Sequence, residues 1–190
     1  MRDAIAGDAY LRMVLATFAE QVRAAGGGPV ADVGCGPGHV TAHLHGLGVK
    51  AVGVDLSPGM ISVARREHPG LRFGVGSMTA LPLAEASLAG LIAWWSLVNV
   101  PDDAVGAAFA EFRRVLAAGA PLLLGFHAGT GSRLKTEGYG GHPMRVWVHR
   151  RPPVQLAAWL NEAGFAVTAQ LLLDPDAERP SAILFARHGR

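Results

Sequence analysis

PVADVGCGPGHV, residues Pro29–Val40, is the stretch on which the reading of this chain turns. Val30–Val33 reads as a short buried strand that runs into a turn with glycine at positions 34, 36 and 38. Glycine reaches positive φ without strain and lets a ligand lie against bare backbone. A second apolar segment, VKAVGVD (Val49–Asp55), holds a strand at Ala51–Val54 and closes on a lone acid, Asp55. Strand, glycine turn, helix, strand and acid make one βαβ unit, which binds a nucleoside beyond the carboxyl ends of its strands. A carboxylate at that place can accept hydrogen bonds from both hydroxyls of a ribose.

The glycine spacing selects among nucleosides. A dinucleotide site uses G-x-G-x-x-G, whose third glycine allows close helix–strand packing beside a pyrophosphate. Gly34 and Gly36 satisfy the first half, but His39 stands where that third glycine belongs. The run continues instead as G-x-G-x-G, with Pro37 in the turn, and the whole string is D-x-G-x-G-x-G beginning at Asp32.

With these residues the chain resembles the class I S-adenosylmethionine-dependent methyltransferases, in particular the small bacterial members of the type 11/25 kind that act on small molecules. VADVGCGPG and VGVDLSPGMI are similar to the first two motifs of that family. VGSMTALPL (Val75–Leu83) resembles the loop that holds the adenine, and GLIAWWSLVNVPDD (Gly90–Asp103) the fourth strand with the loop facing the methyl group. FAEFRRVLAAGAPLLLGFH (Phe109–His127) and the closing LNEAGF near residue 160 extend the match along most of the chain. The resemblance implies a Rossmann-like α/β fold: a seven-stranded, mostly parallel sheet with one antiparallel strand and helices on both faces. It implies S-adenosyl-L-methionine as cofactor and says almost nothing about the methyl acceptor.

Bulk properties suit such an enzyme. The 190 residues form one domain, long enough for a real core. Half are hydrophobic and only 17% are charged, which argues against disorder. The net charge is +2, and the pairs Arg65–Arg66, Arg113–Arg114 and Arg150–Arg151 read as solvated surface, not a nucleic-acid stripe. Cys35 is the one cysteine, so no internal disulfide forms and a reducing cytoplasm is expected. Met1–Tyr10 has no signal-peptide pattern, and the apolar runs near Leu91 and Leu122 are too short to cross a bilayer.

Along the chain, helices and strands alternate. Leu11, Val14, Leu15, Phe18 and Val22 share one face of a first helix, ended by Gly26–Gly28 and Pro29. A second helix spans about His39–Leu47, and a third follows Ser57–Pro58, where Ser caps and Pro suits the first turn. Strands are expected at Leu71–Val75, Leu88–Trp94 and Ala120–Phe126, with a helix between the last two capped by Asp102 or Asp103. The tail reads as helix Val154–Ala163, strand Ala166–Leu173 and strand Ala182–Arg187, a hairpin that puts one antiparallel strand into the sheet. The expected division is a cofactor-binding core at 29–128, an acceptor-side cover at 129–152 and a C-terminal helix and hairpin at 153–190.

Residue roles follow from the resemblance. Asp55 takes the ribose diol, while Gly34, Gly36 and Gly38 leave room for the methionine part of the cofactor, with Cys35 fitted sterically between them. Asp32, buried in its strand, needs partners; turn amides and the cofactor ammonium are candidates, and a purely structural role is the alternative. Leu56 and Met60 form the apolar sides of an adenine slot or belong to the core. Ser77 and Met78 fall where the adenine edge is read, although Asp is commoner in the family at the first of these. Trp94, Trp95 and Ser96 lie where an acceptor meets the methyl group; adjacent strand residues point to opposite faces, so at least one Trp belongs to the core.

Candidate bases are His127, His142 and His149, because an unperturbed imidazole titrates near neutrality. His142 sits in the glycine-rich stretch Gly138–Pro143, read as a mobile cover. Without carboxylates at ligand spacing these histidines predict no metal. Two further departures from the family are Asn99, where a His is frequent, and Trp95, where a Tyr is frequent; they favour catalysis mainly by positioning. Only about ten residues precede the first helix, which predicts either a more open cofactor pocket or one closed by Glu137–Arg151 or by a second subunit, as in a homodimer. The expected function is methyl transfer to a small-molecule oxygen or nitrogen, without nucleic-acid or membrane partners. The alternatives are a cofactor-binding protein without catalysis and a nicotinamide-dependent oxidoreductase, the latter disfavoured by the absent third glycine.

Overall fold

Asp8 starts the first helix by accepting hydrogen bonds from the amides of Tyr10 and Leu11 at 2.8 and 3.1 Å. That contact comes from a computed structural model, which describes residues 7–138 and 143–189. Helix α1 spans Ala9–Ala24 and buries Val14, Leu15, Phe18, Ala19 and Val22, the stripe its 3.6-residue period provides. Strand β1 (Pro29–Val33), helix α2 (His39–Gly46), strand β2 (Lys50–Asp55), helix α3 (Pro58–Glu67) and strand β3 (Arg72–Val75) complete the first half. Ser57 caps α3 through the Met60 amide at 3.3 Å, with Pro58 in the first turn.

The second half runs β4 (Gly90–Trp94), a single 3₁₀ turn at Leu97–Asn99, α4 (Asp102–Val115), β5 (Pro121–His127), β6 (Ser132–Glu137), β7 (Pro143–His149), α5 (Pro153–Glu162), β8 (Phe165–Leu173) and β9 (Ser181–His188). Seven strands form one sheet in the order β3-β2-β1-β4-β5-β9-β8. β9 is antiparallel to both neighbours, and β1 to β5 are mutually parallel, the arrangement the sequence predicts.

Strand burial explains the unbroken apolar runs. In β4, Leu91 and Ala93 enter the core shared with α4 and α5, while Ile92 and Trp94 enter the core shared with α1 and α2. β5 alternates in the same way, with Leu122, Leu124 and Phe126 on one side and Leu123 on the other. A strand covered on both faces keeps its period of two but shows it as a choice between cores, not between core and water. Phe109 and Phe112 of α4 are fully buried with ring centroids 6.1 Å apart; truncating either to Ala costs about 3–5 kcal/mol.

Three local expectations are corrected. Asp102 and Asp103 do not cap α4: the helix begins at Asp102 after Pro101, with no side-chain cap. The Asp102 carboxylate is turned instead to Arg151, 2.9 Å away. Arg151 is not solvated surface but only 2% exposed, donating to the carbonyls of Leu97 and Val100 as well. Finally, the segment between β5 and α5 is a β-hairpin, β6–β7, with a register shift between Lys135 and Glu137. Among the described residues of that hairpin only Val148 is buried in the core, which left its strands unmarked in the sequence.

Candidate functional site

The chain leaves β1 toward β2 and β3 on one side and later returns to β4 and β5 on the other. Loops after β1 and β4 therefore diverge, and a crevice opens at the carboxyl ends of the strands. The residues singled out after β1, β2, β3, β4 and β5 all come to that edge, because a parallel sheet sends every such loop the same way.

Asp55 ends β2 and anchors the site. Its Oδ2 accepts from the Gly36 amide at 2.8 Å and its Oδ1 from the Ser57 amide at 2.8 Å. One carboxylate thus ties the glycine turn to the start of α3, and each oxygen keeps lone-pair capacity for a further donor. Beside it Leu56 is 71% and Met60 37% exposed, so these apolar side chains stand outside the core at this rim. Ser77 shares a hydrogen bond with Thr79 between their hydroxyls at 2.8 Å, and Met78 packs half-buried against the main core.

The three turn glycines serve different purposes. A methyl group on Gly34 would lie 2.1 Å from Ser96 Cβ, and one on Gly38 would lie 2.7 Å from the Phe73 ring. Space at these two positions is taken by the protein itself, not left for a ligand side. At Gly36, φ is +52° and a methyl would meet nothing, which makes it the bare position of the turn. Cys35 is buried, and burial pushes its thiol well above the ordinary range, with Asp32 and Asp55 adding to the shift. It is a packing residue.

Asp32 is 1% exposed and takes its hydrogen bond from the Thr41 hydroxyl on α2 at 2.6 Å. The turn amides expected to serve it are otherwise engaged: Gly34 and Cys35 donate to the Val54 carbonyl and Gly36 to Asp55. Burial raises the Asp32 carboxyl to about 7, against the lowering effect of Thr41. Its Oδ1 is buried without a hydrogen-bond partner. A buried carboxylate oxygen without a donor, next to a bare glycine and an anchored acid, fits a cationic group on a ribonucleoside.

At least one tryptophan belongs to the core, as expected, but the two do not point to opposite faces. β4 ends at Trp94, and Trp95 adopts φ +50°, which swings its ring back to the same side. The rings meet edge to face at 4.8 Å, and both pack with the α1-side core. Trp95 also covers Gly125 and reaches the His127 ring at 6.4 Å. Ser96 is buried and donates to the Val33 carbonyl at 2.6 Å, so it braces the crevice. Asn99 lies in the 3₁₀ turn.

His127 ends β5 at the crevice, half-buried, with Nδ1 enclosed and lacking a partner. Burial lowers its proton affinity below the ordinary imidazole range, helped by the charges of Arg150, Arg133, Arg179 and Lys135. His149 is on β7 and shares a 2.7 Å hydrogen bond with Ser132, one strand across. His142 lies outside the described residues. Among the described residues, His39, Glu67 and His68 bring ligand atoms within 4.8 Å of one another, a trio the sequence reading did not single out. They sit at the start of α2 and the end of α3. A cleft of about 1070 Å³ along α4 and α5 is lined by residues such as Arg113, Trp159 and His188 and includes none of the site residues. No helix among the described residues is long and apolar enough to cross a membrane. Thr41 escaped the sequence reading, and the bracing bonds of Ser96 and Arg151 were not foreseen, since their polar atoms are matched by partners distant along the chain.

Comparison with known proteins agrees with this fold. Residues 30–119 match a family model described as a methyltransferase domain. The chain is 35% identical over 114 residues to a demethylmenaquinone methyltransferase of Chlorobaculum parvum, covering 59% of this chain and 46% of that protein. It is 33% identical over 94 residues to a malonyl-[acyl-carrier protein] O-methyltransferase of Yersinia pestis, covering 50% and 34% respectively. The matches therefore span less than half the length of these two relatives. A solved SAM-dependent methyltransferase from Methanosarcina mazei superposes with a TM-score of 0.74 at 20% identity, over 86% of this chain and 93% of that one. At that identity the likeness speaks for the fold.

Proposed function

We propose that this chain, a class I S-adenosylmethionine-dependent methyltransferase of the type 11/25 kind, transfers a methyl group to the oxygen or nitrogen of a small-molecule acceptor. The observation that carries the reading is Asp55. It is fixed by two backbone amides at the end of β2, beside the open face of Gly36 and the exposed side chains of Leu56 and Met60.

Asp55 would accept the ribose hydroxyls, Leu56 and Met60 would flank the adenine, and Ser77 with the Met78 backbone would meet its edge. Asp32 would face the ammonium of the methionine part, and the main chain of Gly34–Gly38 would line its path. S-adenosyl-L-methionine, when bound, supplies an electrophilic methyl group on a sulfonium. The protein's task is then alignment in a dry crevice, an effect worth roughly 7–11 kcal/mol in favourable cases. Trp95 supplies an apolar wall that excludes water and can face a cation with its ring. His127 takes the proton that the acceptor sheds as its new bond to carbon forms; its lowered proton affinity keeps it unprotonated and ready at neutral pH. We assign hairpin β6–β7, within 129–152, as the acceptor-side cover. We also place the reaction in the cytoplasm, with no nucleic-acid or membrane partner; closure of the crevice by a second copy is compatible with this reading.

Calorimetric titration with S-adenosylhomocysteine, against NAD as control, tests the assignment. Asp55→Ala should weaken S-adenosylhomocysteine at least about tenfold, because ribose hydroxyls and the Gly36 amide lose their acceptor. Near-normal affinity in that variant would remove the ribose from this position.

A further inference from the structure

We infer that the acceptor carries an oxyanion, a carboxylate or a phosphate, received by Arg133 and Lys135 on the inner face of hairpin β6–β7 with Arg150 at its foot. This rests on the methyl-transfer reading above and names the substrate class for the same crevice.

The hairpin register carries the inference. Arg133 is opposite Val148 and Lys135 is opposite Val146. Directly opposed residues of an antiparallel pair lie on the same face. Arg133 and Lys135 therefore share a face with Val148, which is buried in the main core. Leu134 and Trp147, opposed to each other, occupy the outer face, where Trp147 is 54% exposed. A hairpin resting on a protein body normally turns apolar residues inward and charges outward. Here a tryptophan faces outward and two cations face the body.

Those cations do not enter packed core. Arg133 is exposed and Lys135 half-buried. Among the described residues no ion pair includes Arg133. The foot of the hairpin is stitched to the end of β5: the Arg151 amide donates to the His127 carbonyl at 3.1 Å, and the Arg150 amide to Gly131 at 2.9 Å. The Arg150 guanidinium is held beside Gly129 by the Glu178 carbonyl at 2.8 Å, a contact that leaves its charge uncompensated. Burial first, and then the charge of all three cations, lowers the proton affinity of His127. Arg179, 3.6 Å from Glu178, acts there too. Guanidinium groups bind carboxylate and phosphate through paired, charge-assisted hydrogen bonds. An acceptor anchored by its anion would present a second, neutral nucleophile to His127.

The test uses the full chain saturated with S-adenosylhomocysteine and follows the His127 imidazole by NMR while malonate or inorganic pyrophosphate is added. Acetamide serves as the neutral control. The two anions distinguish a carboxylate from a phosphate site. One of them should shift the His127 signal and raise its titration midpoint. Arg133→Gln or Lys135→Gln should weaken that response at least about tenfold, the loss of one charge-assisted contact. S-adenosylhomocysteine affinity, which also reports folding, should be unchanged in both variants. If neither anion acts below roughly 10 mM, or both variants respond like the wild type, the oxyanion site is overturned. Failure of the wild-type chain to bind S-adenosylhomocysteine would instead overturn the methyl-transfer reading, and the acceptor role with it.

Discussion

Gly34 and Gly36, two residues apart in one turn, should fail in opposite ways when a methyl group is added. Gly34 has φ +76°, and a new Cβ would lie 2.1 Å from Ser96 Cβ and 2.8 Å from Ser96 Oγ. An L-residue in left-handed backbone costs about 1–2 kcal/mol. Forcing Ser96 aside adds about 1–3 kcal/mol of overpacking and strains its 2.6 Å hydrogen bond to the Val33 carbonyl. Gly34→Ala should therefore lose about 2–5 kcal/mol, a fall in Tm of roughly 10 °C for a chain of this size. At Gly36 the backbone cost alone applies, because the added methyl meets no protein atom. Gly36→Ala should lose about 1–2 kcal/mol yet weaken S-adenosylhomocysteine at least about tenfold, since its methyl enters the space assigned to the ligand. Urea denaturation followed by circular dichroism reads the first quantity and calorimetry the second. Adding Ser96→Gly to Gly34→Ala should recover the overpacking share but not the backbone share. The reasoning would be refuted if Gly34→Ala were as stable as the wild type, or if Gly36→Ala bound normally.

Further outcomes follow from single groups. Asp32 is raised to about 7, so the folded chain holds a proton that the unfolded chain releases above the ordinary carboxylate range. Its contribution to stability is full at low pH and is lost as pH rises through about 7. Thermal melts of Asp32→Asn should therefore lack the wild-type decline between acid and neutral pH, a difference on the order of a few kcal/mol. In wild type, S-adenosylhomocysteine binding near pH 6 should release protons, measurable as a buffer-dependent calorimetric enthalpy. Arg151→Met should cost about 3–5 kcal/mol in urea denaturation, because the Leu97 and Val100 carbonyls lose a buried donor and Asp102 its partner. His127→Gln should lower kcat by roughly 10²–10⁴ while leaving S-adenosylhomocysteine affinity intact. Because burial depresses this imidazole, the acid limb of the wild-type pH–rate profile should lie below the ordinary histidine range. The same depression means that its contribution to stability fades as pH falls through that range.

Much of the architecture was legible because it is written locally. Gly-rich turn, strand-end acid and Ser57–Pro58 cap are contiguous signals, and each sits where its spacing put it. The strands of the parallel sheet were legible for a related reason: burial on both faces leaves an apolar run no helix face would produce. Hairpin β6–β7 was not legible, since its period of two is carried by Arg133, Lys135, Val146 and Val148, a mixture of charge and aliphatics. The Trp94–Trp95 pair misled because alternation holds only inside a strand, and the strand stops between them at a positive φ.

From the chain alone came the order of elements outside hairpin β6–β7, the nucleoside-type βαβ unit and the identity of Asp55 as the acid at its edge. These depend on residues within one strand–turn–strand span, where backbone geometry constrains what each position can do. Tertiary structure decided the rest. It showed that Gly34 makes room for Ser96, that Asp32 leans on Thr41, and that Arg151 is buried among loop carbonyls. It also set Arg133 and Lys135 in register with Val148 and Val146 across the hairpin. Such pairings join segments 9 to 63 residues apart. Whether a polar atom there is satisfied, strained or free for a ligand depends on distances that only the packed chain defines.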